Sequence, residues 1–296
     1  MTTRKKVLIG AAIYIGGLIL FVMIFGGGKK NEEYQPQNEF KLDPWIDLPG
    51  PFDITKGVLY VVVAAGLTVY LMIWIAKRMV DRPNRVQTLV EVVFNVMRDN
   101  ITRANMDSRM AAKWFPFIAT LFLFIWISNL IGYVPVPTNI EHPIKVFGLE
   151  IPSFAIYAAT ANLSIPLMLA LVVCIAFTVE GVRAQGVTGY LKGLVPKGVT
   201  GVMAVFIFML ELFSQFLRLV SLSVRLFANI LAGHMIILFM GGGIAVLLGF
   251  AAAGWMTLPL AVILFIFEVG LVATLQAFIF ATMASIYFGS AVATDH

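Results

Sequence analysis

Six long apolar segments constrain this chain of 296 residues more than any other feature, because about 20 apolar residues suffice to cross a bilayer as a helix. Hydrophobic residues make up 60% of the chain and charged residues only 12%, a balance that is atypical of soluble domains. The sequence therefore predicts an all-α polytopic membrane protein. The segments cover 7–25, 56–76, 114–133, 153–177, a longer apolar run that contains 211–234, and 246–287.

The charges between the apolar segments predict their orientation. A basic cluster at 4–6 precedes the first segment, and the link 77–113 carries an excess of basic residues. Such an excess marks cytoplasmic loops, so we expect this link and both termini on the cytoplasmic side. A cleaved signal peptide shares the basic start, but the long apolar run without a clear cleavage site favours a retained helix. We divide the chain into 1–53, an additional helix with an acidic external loop, and 54–296, the main membrane domain.

Three elements are expected to lie oblique or parallel to the membrane. The last two apolar segments run for roughly 40 residues each, which is too long for upright helices across ~30 Å of hydrocarbon. We therefore expect them to form a strongly tilted hairpin. Between the second and third segments, the stretch 86–101 has apolar residues at i, i+3 and i+4 spacing. This spacing predicts an amphipathic helix on the membrane surface or against a partner.

The sequence holds no pattern typical of an enzyme or a metal site. There is no Cys/His ligand set, no glycine-rich phosphate loop and no nucleophile elbow. The single cysteine, Cys174, lies in an apolar run and is expected to be a core residue. The basic residues form no surface interleaved with aromatic side chains, so nucleic acid is not an expected partner.

Ionisable residues recur along one face of the fifth segment. Glu211, Arg218 and Arg225 follow one another at intervals of seven, so they share a helical stripe, which Asn229 extends. An arginine at mid-membrane depth is unfavourable by about 2.5–3.5 kcal/mol, and such residues usually mark an ion pathway. Since arginine does not lose its proton, Arg225 can act only as a fixed charge that makes an approaching acid release its own. The alternative is a structural Glu211–Arg218 pair, which leaves Arg225 without a local partner.

Two titratable residues, His234 and Glu268, lie in the last two segments. If these segments form an antiparallel pair, the two side chains face each other and line one access route. The alternative is a buried hydrogen-bonded pair with no transport role. Gln276 either bonds Arg225 across the hairpin or makes a plain polar contact between helices.

The fourth segment contains three residues that interrupt its apolar character: Asn162, Ser164 and Pro166. Proline inside a membrane helix frees a backbone carbonyl, so we expect a kink or a wet cavity there. We assign structural roles rather than a part in conduction to Asn162, Ser164, Ser221 and Arg218.

Three strings carry a family resemblance. The fifth segment reads SLSVRLFANILAGH, the last reads ATLQAFIFATMASIYF, and the third reads FPFIATLFLFIWISNLIGYVPVP with the pattern N-x-x-G-x-x-P. They resemble subunit a of the F-type ATP synthases, the membrane stator subunit. The combination of R-L-F-x-N-x-x-A-G with L-Q-A-F-x-F is specific, and the resemblance covers 54–290.

The resemblance implies a function. In that family, subunit a cups a rotating ring of c subunits, and two offset aqueous half-channels carry protons to and from a carboxylate on each c subunit. The family's essential arginine, which separates the half-channels, falls on Arg225, its asparagine on Asn229 and its glutamine on Gln276. Glu211 matches the acidic position of the long helix, and Arg218 matches a basic one.

The resemblance also implies partners and a location. The partners are the c-subunit ring, the peripheral-stalk b subunits, the other ATP synthase subunits and the lipid bilayer of a bacterial inner membrane. Neither a cofactor nor covalent chemistry by the subunit itself is expected. The ion stays open between proton and sodium, because that choice depends largely on the c ring. A free-standing secondary transporter would need an internal repeat, and no convincing one is found. A membrane scaffold would use Arg225 only in a structural pair.

The sequence departs from the family at three points. His234 and Glu268 fit the family's titratable pair, but the interval from Glu268 to Gln276 is eight where seven is expected. This difference turns a regular helix by about 100°, so Glu268 fits only if the helix is overwound or bulged. The family's T-A-D-x-N-x-T reads TANLSIP here, which removes an acid and weakens any relay role for Asn162. The first segment, 7–25, is additional to the usual five helices.

Overall fold

The computed structural model describes most of the chain beyond the first apolar segment. The described residues of the first predicted span are helical; the rest of that span and most of the predicted external loop lie outside the described part. The described residues are 5, 9–10, 12–17, 19–20, 44–46, 54–80, 84–134, 144–146, 149–151, 159–195, 198–240 and 251–292.

Helices account for nearly all of the described residues, which confirms the predicted all-α class. They are α1 (Lys56–Arg78), α2 (Arg85–Asn95), α3 (Ser108–Ile131), α4 (Ser164–Gly193), α5 (Val202–Leu238), α6 (Ala251–Phe267) and α7 (Ala273–Val292). A π-helical stretch, Val96–Arg103, extends α2, a π turn at Glu268–Val272 joins α6 to α7, and a 3₁₀ turn, Ala159–Ala161, precedes α4. Two short antiparallel pairs complete the described elements: β1 (Pro44–Ile46) with β2 (Ile54–Thr55), and β3 (Ile144–Val146) with β4 (Leu149–Ile151).

Five helical stretches in the described part are long and apolar enough to cross a membrane: Gly57–Arg78, Ser108–Ile131, Ser164–Gly193, Val202–Leu238 and Thr257–Val292. They correspond to the second through sixth predicted spans. The last two contain 37 and 36 residues, which confirms their predicted length.

Side-chain caps fix where the helices around the predicted cytoplasmic link begin. The Gln87 N–H donates to Oδ1 of Asn84 at 2.9 Å and starts α2. The Arg109 N–H donates to Asp107 at 3.3 Å and starts α3. Both caps satisfy a backbone donor that the first helical turn leaves unpaired. The predicted amphipathic helix is thus confirmed as α2.

The fourth span begins later than predicted. The Ser164 N–H donates to Oδ1 of Asn162 at 3.0 Å, and α4 starts there. Pro166 therefore lies in the first turn, where a missing N–H breaks no helical hydrogen bond. Of the two alternatives expected at Pro166, the kink is wrong, and the wet cavity stays a prediction. The backbone instead leaves helical geometry at Gly186, whose φ of 74° is readily adopted by glycine.

The chain divides into two compact units. The smaller unit comprises Met1–Lys41 and Ala232–Glu268, and the larger comprises Leu42–Leu231 and Val269–His296. Helix α5 supplies residues to both.

Helix α7 lies at the core of the larger unit. Helices α3 and α4 pack along it, and α1 packs on α3. Trp114 of α3 stacks at a tilt on the buried Phe288 of α7, with ring centroids 4.2 Å apart. In a membrane, such close packing takes the place of water exclusion as the force that joins helices, and small residues permit it. The small, fully buried residues of α7 are Ala273, Ala277, Ala281, Ala284 and Ser285.

An ion pair adds to this packing between α3 and α4. Lys113 donates to Oε1 of Glu180, whose side chain is buried while that of Lys113 remains half exposed. Removing the lysine would leave a buried carboxylate uncompensated, which is strongly destabilising. The pair therefore restricts how α3 and α4 can shift against each other.

Gly289 permits the close approach of α7 to the turn that follows α2. A Cβ atom at this position would overlap the backbone carbonyl oxygen of Asn105. A backbone atom cannot rotate away as a flexible side chain can, so only glycine fits at this contact.

We predict that Gly289→Ala destabilises the protein by about 1–3 kcal/mol, the usual cost of overpacking a tight contact. Thermal unfolding of the purified protein in detergent measures this loss. Gly66→Ala in α1 is the matched control, because a Cβ there meets no atom within 4 Å. An equal midpoint for the two variants would contradict the close approach.

Candidate functional site

Helix α5 carries the predicted charged stripe as one continuous helix. Nη2 of Arg218 lies 3.3 Å from Oε1 of Glu211, which is the ion pair that the seven-residue interval predicts. The Arg218 guanidinium also lies over the ring of Tyr287 in α7, 5.7 Å from its centroid. Arg218 is thus held by two neighbours within the larger unit.

Arg225 differs from Arg218 in its surroundings. Its side chain is exposed, and within the described residues it forms neither an ion pair nor a hydrogen bond. It does interact electrostatically with the phenol of Tyr287. Ser221 and Asn229, four residues to either side, are exposed as well. We call Ser221, Arg225 and Asn229 the Arg225 strip; it faces outward from the larger unit.

Gln276 is placed differently from the sequence-based expectation of a bond to Arg225. Its side chain is only 5% exposed and lies in α7, beside the buried Ala273 and Ala277. No hydrogen bond joins it to Arg225 in the described part of the chain. Of the two alternatives predicted for Gln276, the bond to Arg225 is not made among the described residues, and the polar contact between helices stays a prediction.

Glu268 lies against α5 within the smaller unit. A Cβ added to Gly233 would overlap both carboxylate oxygens and Cδ of Glu268. The carboxylate therefore rests on the backbone of Gly233, the residue that directly precedes His234. The sequence predicted that His234 and Glu268 come together, and this packing brings Glu268 to the residue next to the histidine. It does not distinguish an access route from a structural pair.

A π turn lies between Glu268 and Gln276, where the sequence departs from the interval expected for the family. Glu268 is the first residue of the π turn Glu268–Val272, and Gln276 follows in α7. A π turn holds more residues than an α turn, and single π turns in α-helices often lie at functional sites. A π turn adds one residue without adding to the rotation of the helix. With this turn, an interval of eight residues gives Glu268 about the helical phase that an interval of seven gives in a regular helix.

Asn162 and Ser164 have a local structural role. Asn162 accepts the Ser164 N–H at the start of α4, and Ser164 itself is exposed. Neither residue lies on the elements that carry the Arg225 strip.

Sequence reasoning gave no role to a buried polar group on α3. Nδ2 of Asn129 donates to the Ala273 carbonyl at 3.2 Å, and Oγ1 of Thr160 donates to Oδ1 of Asn129 at 2.7 Å. Nε1 of Trp126 donates to Oγ1 of Thr274 at 3.0 Å. The available signal was the asparagine of N-x-x-G-x-x-P, which is Asn129.

Metal binding has no candidate in the described part of the chain. No group of three or more His, Cys, Asp or Glu side chains there could hold an ion.

Comparison with known proteins gives one family. The family described as ATP synthase A chain matches residues 58–289. The match includes the whole Arg225 strip, Gly233 and the π turn.

Curated relatives cover most of the chain. ATP synthase subunit a of Bradyrhizobium diazoefficiens is 33% identical over 271 residues, which span 88% of this chain and 98% of the relative. Its counterpart from Anaplasma marginale is 32% identical over 268 residues, or 87% and 98% of the two chains. The subunit a of Rubrobacter xylanophilus is 33% identical over 237 residues, or 79% and 82%.

We predict that Gly233→Ala lowers thermal stability, because the added methyl group displaces the Glu268 carboxylate from its place on α5. Glu268→Ala should remove most of that penalty in the double variant, since the overlapping atoms are gone. Thermal unfolding of the single and double variants forms the test. Gly270→Ala, where a Cβ meets nothing within 4 Å, is the control. Additive losses for Gly233→Ala and Glu268→Ala would refute the contact.

Proposed function

Since this chain belongs to the family of ATP synthase subunit a, a component of the ATP synthase complex, we propose that it is the proton-conducting stator subunit of an F-type enzyme. In this role it supplies two aqueous half-channels to a rotating ring of c subunits, and Arg225 separates them. The chain couples ion flow to rotation and performs no covalent chemistry itself.

The exposure of Arg225 is the observation that carries this proposal. The residue lies within an apolar helix of 37 residues, and no side chain of the described chain neutralises it. A guanidinium in contact with hydrocarbon is strongly unfavourable, so the strip must face protein or water. A neighbouring subunit that carries a membrane carboxylate satisfies this requirement, and the c ring supplies one such carboxylate after another.

The chemistry of arginine explains how the strip works. Arg225 stays protonated, so it cannot relay a proton. A protonated carboxyl group on the ring that approaches this fixed charge is favoured to ionise, and the proton leaves through the adjoining half-channel. The same charge repels a proton that would otherwise pass directly between the half-channels. Asn229 and Gln276 position the guanidinium and the passing carboxylate.

The two half-channels are assigned to opposite ends of the site. His234 and Glu268 line one aqueous route, because both can exchange protons and Glu268 is seated at Gly233 beside the histidine. Glu211 lines the other route. Arg218 holds Glu211 at 3.3 Å and is itself structural.

The proposal extends to assembly and location, and membership of the family supports both. The partners are the c ring, the peripheral-stalk b subunits and the remaining ATP synthase subunits. The membrane is the bacterial inner membrane, with both termini of the chain in the cytoplasm. Residues 1–53 form an addition to the domain 54–296.

We expect Arg225→Ala to abolish ATP-driven proton uptake into vesicles that contain the purified complex, because the barrier between the half-channels is lost. Arg218→Ala should reduce proton uptake less, since that arginine is held in a structural pair. Proton uptake is followed with a pH-sensitive dye, and ATP hydrolysis by the detached head controls for enzyme quality. If proton uptake persists in Arg225→Ala, Arg225 has a structural role and does not separate the half-channels.

Varying sodium in the same vesicles decides the ion. Uptake of protons that is independent of sodium supports proton coupling. If pumping requires sodium, the chain is the sodium-coupled version of the same subunit.

A further inference from the structure

A buried polar cluster on α3 holds the residue at which the π turn reverts to α-helix. Asn129 is 0% exposed, and its amide nitrogen donates to the carbonyl of Ala273, the first residue of α7. Thr160, also 0% exposed, donates to the amide oxygen and so fixes which side of the amide faces α7. Trp126 donates to the side chain of Thr274, one residue further on.

The junction between a π turn and an α-helix needs hydrogen-bond partners from outside the helix. A π turn bonds each N–H five residues back and an α-helix four, so the regular succession of bonds is disturbed where one becomes the other. In a membrane, no water is present to satisfy a displaced backbone group, and side chains of neighbouring helices take that role. Ala273 is the first residue after this change of bonding, and its carbonyl accepts a hydrogen bond from a fully buried donor on another helix.

We infer that Asn129 is a positioning residue that stabilises the π turn and thereby sets the helical phase between Gln276 and Glu268. The eight residues from Glu268 to Gln276 allow two arrangements. In a regular helix, Glu268 is turned by about 100° from the direction expected for an interval of seven. In a bulged helix, Glu268 keeps that direction. The Asn129 amide stabilises the bulged one. The stabilisation of the π turn by Asn129 does not depend on the proposed function; only its effect on proton flow rests on that proposal.

The first test measures the π turn itself. Amide hydrogen exchange of the peptide 268–276 is followed in the purified ATP synthase complex. Asn129→Leu keeps the size of the side chain and removes the donor, so exchange should become about tenfold faster, as expected for loss of one buried hydrogen bond.

Ser128→Ala is the matched control. Ser128 is the neighbouring residue on α3 and is equally buried, but its hydroxyl has no hydrogen-bond partner in the described part of the chain. Its exchange pattern should equal that of the parent protein. Thr160→Val provides a second reading if Asn129→Leu does not assemble, with a smaller increase because the Asn129 donor remains. Exchange that is no faster in these variants than in Ser128→Ala overturns the inference.

The second test separates positioning from general stability. Asn129→Leu should shift the pH dependence of proton uptake, because Glu268 meets different surroundings, and it should produce no shift when Glu268 is already glutamine. A merely structural role lowers uptake equally at every pH and in both backgrounds. If uptake survives Arg225→Ala, the proposed function fails while the exchange result for Asn129 still stands.

Discussion

The free-energy cost of placing a permanent charge in hydrocarbon is the main constraint on this structure. Arg225 cannot become neutral, so the helix that carries it can be stable in a bilayer only if the guanidinium meets protein or water. Arg218 meets this condition inside the chain, through Glu211 and the ring of Tyr287. Arg225 is exposed. The guanidinium must therefore meet protein or water outside the described part of this chain, and this requirement is what supports the proposed contact with a c ring.

A second constraint acts on the stretch of α6 and α7. Polar groups in a membrane must be satisfied within the protein, which makes an irregular turn depend on its neighbours. The π turn at Glu268–Val272 is followed by a carbonyl that accepts from Asn129, and Glu268 at its other end rests on Gly233. Packing of α3 on α7 therefore brings a hydrogen-bond donor to the residue that follows the π turn.

Patterns within one segment were read correctly from the sequence. Hydropathy predicted the spans of α1, α3, α5 and the α6–α7 stretch, because an apolar run of sufficient length has few alternatives. The interval of seven predicted the Glu211–Arg218 pair, since it depends only on helical geometry. The start of α4 was missed, because an asparagine just before the helix and a proline in its first turn resemble polar and kinked residues inside a helix. The role of Asn129 was also missed, since its partner lies 144 residues away.

The sequence by itself determined that this chain has segments long and apolar enough to span a membrane, and which residues share the charged face of α5. These properties follow from composition and from the fixed period of a helix. Only the tertiary structure decided that Gln276 is buried, that Gly233 admits the Glu268 carboxylate and that Asn129 reaches Ala273. Each of these depends on which helices lie side by side, and the periodicity of one helix carries no information about its neighbour's side chains.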